Sequence, residues 1–134
     1  MRPVKRGSQW SADQVWQNKE VSLYMNSPVL RGETLFGFSH RNKGQYFTMD
    51  LNTGKTLWIG DGRQGENASL QLAGDLLFTL DNDARLTVYS AQARLTSPVA
   101  QYKVADSPTW AQPVIMPGRV LIKAFNSLSL LSLE

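Results

Sequence analysis

Two ten-residue stretches of this chain nearly superimpose when one is slid 42 positions along the other, and no other feature constrains the fold as strongly. Ser27-Pro28-Val29-Leu30-Arg31-Gly32-Glu33-Thr34-Leu35-Phe36 lies over Ser69-Leu70-Gln71-Leu72-Ala73-Gly74-Asp75-Leu76-Leu77-Phe78, sharing serine, leucine, glycine, an acid, leucine and phenylalanine. A third stretch, Pro113 to Ile122, keeps a glycine 44 residues further on, so Gly32, Gly74 and Gly118 mark one recurring turn. The aromatics follow the same spacing: Trp16 and Trp58 differ by 42, Tyr102 follows after 44, and Tyr24 matches Trp110 at 86.

Within each unit, short apolar runs alternate with turn residues and no stretch sustains a helical period, so strands joined by hairpins are expected. They fall near 27–31, 33–39, 45–51 and 55–60, then 68–73, 75–80, 85–90 and 99–104, then 112–116, 119–124 and 127–133. Asp81-Asn82-Asp83 supplies a hairpin turn. Four strands every ~40 to 45 residues is the period of a β-propeller blade, as in WD40 arrays. The expected fold is therefore all-β, about three four-stranded antiparallel blades of an incomplete ring. Residues 1–13 form an irregular N-terminal connection, and 14–134 hold blade units at about 14–58, 59–103 and 104–134.

The stretch Thr48 to Trp58 (TMDLNTGKTLW) shows what joins such blades. Neighbouring blades splay apart at their outer strands, and a tryptophan there can fill the wedge while its indole N–H reaches a backbone carbonyl. The turn Asn52-Thr53-Gly54-Lys55 reverses the chain, with Gly54 free to take positive φ and Thr53 or Asp50 able to cap amides. These residues resemble the tryptophan-docking motif of the PQQ-like quinoprotein propellers, A-x-D-x-x-T-G-K-x-x-W. Asp50, Thr53, Gly54, Lys55 and Trp58 are in register, and Thr48 replaces the leading alanine. Val15-Trp16 looks like the end of the same motif from a preceding blade, whereas Val88 to Arg94 has lost Thr-Gly-Lys and ends in Tyr102. The resemblance implies a structural docking role for Trp16, Trp58 and the turn residues. That family contains dehydrogenases using pyrroloquinoline quinone (PQQ) with calcium, and non-enzymatic propellers that bind protein partners, among them a lipoprotein of the outer-membrane protein assembly machinery. It implies a periplasmic or envelope location for the parent protein.

Chemistry-bearing residues are few. There is no cysteine, which removes disulfides, thiolate metal sites, a thiol nucleophile and the vicinal cysteine pair that many of the dehydrogenases stack on their quinone. His40, the single histidine, lies in a turn with no acid beside it in sequence to orient it as a base. Asp81-Asn82-Asp83 has clustered oxygens but lacks the longer ligand alternation of a calcium loop. The net charge of +3 is spread along the chain, without the concentrated stripe that nucleic acid requires, and no apolar run could span a bilayer. Connections on a rigid propeller are where binding resides, which makes Arg41, Asn42 and Lys43 in one turn, and Arg63, Glu66 and Asn67 in the Asp61–Asn67 connection, the candidate binding residues.

The function expected is a non-catalytic PQQ-like propeller fragment acting as a protein-binding scaffold. No catalytic constellation is present and no cofactor or metal is expected; PQQ and calcium enter only if the parent is a dehydrogenase, which is the alternative. A basic nucleic-acid surface is a weaker one. Three blades are too few to close, so the partner is either the remainder of a larger propeller or a second copy, whose free outer strand at Trp16 would complete the last blade.

Overall fold

The computed structural model describes residues 2–133. After a two-stranded N-terminal hairpin, three larger antiparallel sheets follow one another along the chain. The first holds β3 (Val29–Arg31), β4 (Thr34–Ser39), β5 (Gln45–Asp50) and β6 (Thr56–Ile59); the second holds β7 (Ala68–Ala73), β8 (Leu76–Asp81), β9 (Arg85–Ser90) and β10 (Pro98–Lys103); the third holds β11 (Val114–Met116), β12 (Arg119–Lys123) and β13 (Leu128–Ser132). Every expected strand in these sheets is present, with ends within two residues of those read from the sequence. Two expectations fail at the N-terminus. Residues 2–13, the described part of the expected N-terminal connection, are not irregular: β1 (Arg2–Arg6) and β2 (Gln9–Asp13) pair across a turn containing Gly7, and β2 is exposed throughout. The stretch around Trp16 is not a strand; residues 14–19 join no ladder, since no strand among the described residues pairs with them.

The recurring glycine turn is real, but its third copy is shifted. Arg31 pairs with Thr34 and Ala73 with Leu76, which leaves Gly32-Glu33 and Gly74-Asp75 as two-residue turns with φ of 59° at each glycine. Positive φ at the first central residue is the glycine-first hairpin turn. In the third sheet Met116 pairs with Arg119, so the turn is Pro117-Gly118 and the glycine comes second, at φ 66°; proline fixes the first φ and glycine supplies the positive one. By strand register the third hairpin therefore stands 43 residues beyond the second, not 44.

Register also defines the faces. One row of the first sheet runs Val29–Phe36–Thr48–Trp58, and the equivalent row of the second runs Gln71–Phe78–Val88–Ala100. The apolar members of the first row, with Phe38 and Tyr46, pack on Ala68, Leu70 and Leu77 of the second sheet, and Leu72, Tyr89, Ala91 and Leu95 belong to the same cluster. Phe78, Leu80, Leu86 and Val88 pack in the same way on Val120 and Ile122 of the third sheet. Ala100, rather than Tyr102, occupies the place of Trp58, because the connection 91–97 is longer than 51–55 and a bulge interrupts β10 between Pro98 and Ala100.

Candidate functional site

At the loop end of the first two sheets, sequence-distant connections are laced together. Arg41–Lys43 forms a 3-10 turn in which Asn42 and Lys43 take left-handed φ of 51° and 62°. Arg63 is also left-handed, at 64°. Asparagine tolerates this region, but lysine and arginine rarely adopt it, and the cost at Lys43 and Arg63, about 1–3 kcal/mol per residue, has to be met by surrounding contacts. Those contacts are visible: Arg63 N donates to Asn42 O at 2.9 Å, Gln64 N to Gly44 O at 3.1 Å and Gly65 N to Lys43 O at 3.2 Å. Asn82 Oδ1 accepts from both Glu66 N and Asn67 N, at 3.0 and 3.2 Å, tying the same connection to the second sheet.

The result is an open cleft of about 730 Å³ lined by Tyr24, His40, Lys43, Arg63, Glu66 and Asp83, among others. Tyr24 and His40 form one wall with ring centroids 5.9 Å apart. Lys43, Arg63, Glu66 and Asp83 make no ion pair among the described residues. The cleft thus presents two cations and two anions beside an aromatic wall. Of the six candidate binding residues, Lys43, Arg63 and Glu66 line it. Asn42 and Asn67 hold the loops instead: Asn42 Nδ2 donates to Gln45 Oε1 at 2.9 Å, and Asn67 is buried with Oδ1 accepting from Asn26 Nδ2 at 3.1 Å. Arg41 is exposed outside that lining. Tyr24 and His40 could have been added from the sequence only by knowing that the chain before β3 crosses to this end, where His40 N donates to Ser22 O at 3.0 Å.

Asp81-Asn82-Asp83 uses its oxygens to build the turn. The buried Asp81 carboxylate accepts from Asp83 N and Arg85 N, both at 3.0 Å, and pairs with Arg85 at 2.8 Å. Such committed oxygens do not fit a calcium cage. Among the described residues no three of His, Cys, Asp and Glu come together as metal ligands.

At the opposite end, Trp16 lies on the 50–55 turn. Its indole N–H donates to Leu51 O at 2.7 Å, and a Cβ on Gly54 would stand 2.4 Å from its Cδ2. Only glycine, here at φ 69°, leaves room for the ring. Asn18 Nδ2 adds a bond to Gly54 O at 2.8 Å. Asp50 Oδ1 accepts from Thr53 N at 2.7 Å and Thr53 Oγ1 at 2.8 Å, and Lys55 O accepts from Asp50 N at 2.9 Å, closing the turn. Trp58 is placed differently. It faces the second sheet within the cluster around Phe36 and folds over Gly60, where a Cβ would be 2.7 Å from its Cη2. The register counterpart of Leu51 O is Ala91 O, and Arg31 Nη1 donates to it at 3.0 Å, while Nη2 pairs with Asp75.

No protein-family model and no curated protein matches the chain. Solved structures do. BamB from Moraxella catarrhalis aligns at a TM-score of 0.60 with 16% identity, over 78% of this chain and 32% of that one. The computationally designed Ika4 protein aligns at 0.57 with 10% identity, over 92% of this chain and 100% of that one, and a europium-containing methanol dehydrogenase at 0.54 with 17% identity, over 71% and 19%. The architecture is that of β-propeller blades. At such identities the likeness concerns the fold alone, and the chain spans about a third of the BamB structure.

Proposed function

We propose that this chain is a non-catalytic, PQQ-like propeller segment that binds a protein partner through the cleft at its loop end. The observation that carries the reading is the cleft lining: Lys43, Arg63, Glu66 and Asp83, free of ion pairs among the described residues, beside the Tyr24–His40 wall. Left-handed Lys43 and Arg63 hold their side chains on a laced, preorganised rim, which lowers the ordering cost of association. Trp16 and the Asp50–Lys55 turn serve packing, as Trp58 does within the sheets, and they stand apart from ligand chemistry. The envelope is the compartment in keeping with this reading.

The test is a peptide array sampling acidic, basic and mixed-charge sequences, probed with the wild-type chain and with Lys43→Glu/Arg63→Glu. Mixed-charge peptides should bind the wild type, and the double reversal should weaken them by tenfold or more, about 1.4 kcal/mol, with an unchanged circular dichroism spectrum. Equal binding by both proteins would remove the cleft as the site. A separate incubation with PQQ and calcium, followed by desalting, examines the non-catalytic part: retained quinone absorbance would turn the reading toward a dehydrogenase segment.

A further inference from the structure

The two ends of the sheet array carry matching halves of the contact that joins the first sheet to the second. In the third sheet the row equivalent to Val29–Phe36–Thr48 is Val114–Leu121–Leu130. Phe36 and Phe78, in the middle of the earlier rows, are 1% and 7% exposed because the following sheet covers them. Val114 and Leu130 are 49% and 53% exposed, and Leu128 beside them is 65% exposed. At the other end, the row that receives such a contact in the second sheet is Leu72–Leu77–Tyr89, with Leu77 fully buried. Its counterpart in the first sheet is Leu30–Leu35–Met49, where Met49 is buried, Leu35 is half-buried and Leu30, at 48% exposed, is the open end of the row.

Strand edges complement one another as well. In the first sheet β6 pairs with β5 and carries Trp58 opposite Thr48. The corresponding edge of β13 is unpaired among the described residues, whereas residues 14–17, which stand 42 positions before Thr56–Ile59, have a tryptophan in place but no sheet to join. Charges agree with this arrangement. Arg31 of the first sheet pairs with Asp75, at the hairpin turn of the second. Glu33 holds the place of Asp75 in the first sheet, and Arg119, paired in register with Met116, lies where it would meet that turn; neither makes an ion pair among the described residues.

We propose that a second copy of this chain covers the exposed face of the third sheet, head to tail. Residues 14–17 of each copy add to β13 of the other as a fourth strand, Trp16 extends the row Val114–Leu121–Leu130, Leu30 and Leu35 pack against that row, and Glu33 meets Arg119. Two copies bring together six sheets, within the ~4 to 8 blades over which propellers close, and three copies would exceed it. This contact is separate from the cleft, so a failure of either proposal leaves the other standing.

Light scattering behind a sizing column tests it on the 134-residue chain. The expected mass is about 30 kDa, twice the 15.0 kDa of one chain. Leu130→Glu, on a solvent-facing position, should return the mass to that of one chain with the circular dichroism unchanged. Arg119→Glu should raise the dissociation constant about tenfold, and adding Glu33→Arg to it should restore most of the loss. A single-copy mass for the wild type overturns the proposal, as does a two-copy mass that survives Leu130→Glu or a charge swap that fails to restore association.

Discussion

The contact of Trp16 with the 50–55 turn and the contact between the first two sheets solve the same problem with different chemistry. At the turn, a carbonyl left over by the chain reversal, Leu51 O, is taken by an indole N–H, and the ring lies flat on Gly54. Between the sheets the equivalent carbonyl, Ala91 O, is taken by the Arg31 guanidinium, which also reaches Asp75. Trp58, freed from that bond, adds its surface to an apolar cluster. The difference follows from one loop. Residues 51–55 contain a glycine that admits a ring, whereas 91–97 contain none. Where the backbone cannot be approached closely, a long side chain reaches it instead, and packing passes to phenylalanine and leucine.

That contrast can be broken from either side. Phe36→Ala should do most damage, about 3–5 kcal/mol, because a side chain 1% exposed leaves a cavity between two sheets that cannot collapse onto it; urea unfolding with an unchanged slope would measure the loss. Gly54→Ala should cost about 1–3 kcal/mol, since the new methyl meets the Trp16 ring and φ must stay positive. It should also shift tryptophan emission to the red, while Gly7→Ala, with open space at its Cβ, should leave emission unchanged. Arg31→Ala should cost less, about 0.5–1.5 kcal/mol, because its pair with Asp75 is largely exposed and the bond to Ala91 O is the larger share. A double-mutant cycle with Asp75→Ala giving a coupling above that of the whole Arg31 loss would reverse this order.

Much of the architecture was legible because hairpin-forming glycines and alternating apolar residues fix strand ends locally; Gly32 and Gly74 repeat with their strands to the residue. The third copy misled by one residue because Pro117 moves the positive φ to the second turn position, a change in turn type that residue spacing does not display. Spacing alone makes Tyr102 the counterpart of Trp58, but the longer 91–97 connection with its bulge gives that place to Ala100. The stretch around Trp16 could not become a strand alone, since a ladder needs a neighbour. The cleft was half legible: loop positions were visible as polar turns, but which side chains face inward depends on the left-handed backbone at Lys43 and Arg63 and on bonds between connections about 20 residues apart. Arg31 as a bridge carried no signal at all, because its acceptor lies 60 residues away.

The smallest expected effect concerns pH. The Thr53 hydroxyl, followed by the Thr53 amide, holds the Asp50 carboxyl below its ordinary value by hydrogen bonding to its charged form. A carboxylate whose value is lowered on folding contributes stability that is complete above the unfolded value, about 3.9, and is lost as pH falls toward and through the folded one. Acid should therefore loosen the 50–55 turn, while the bond from Arg31 to Ala91 O, which involves no carboxylate, persists. Urea midpoints measured from neutral pH downward should fall more steeply for the wild type than for Asp50→Asn, which retains an acceptor for Thr53 but has no proton to take up. Because Asp50 is solvent-facing, the difference should be modest and accompanied by a red shift of Trp16 emission confined to the wild type. Parallel curves for the two proteins would show that the Asp50 carboxylate adds nothing to the turn, and the contact would then rest on Gly54, the backbone bonds and the Trp16 and Asn18 side chains.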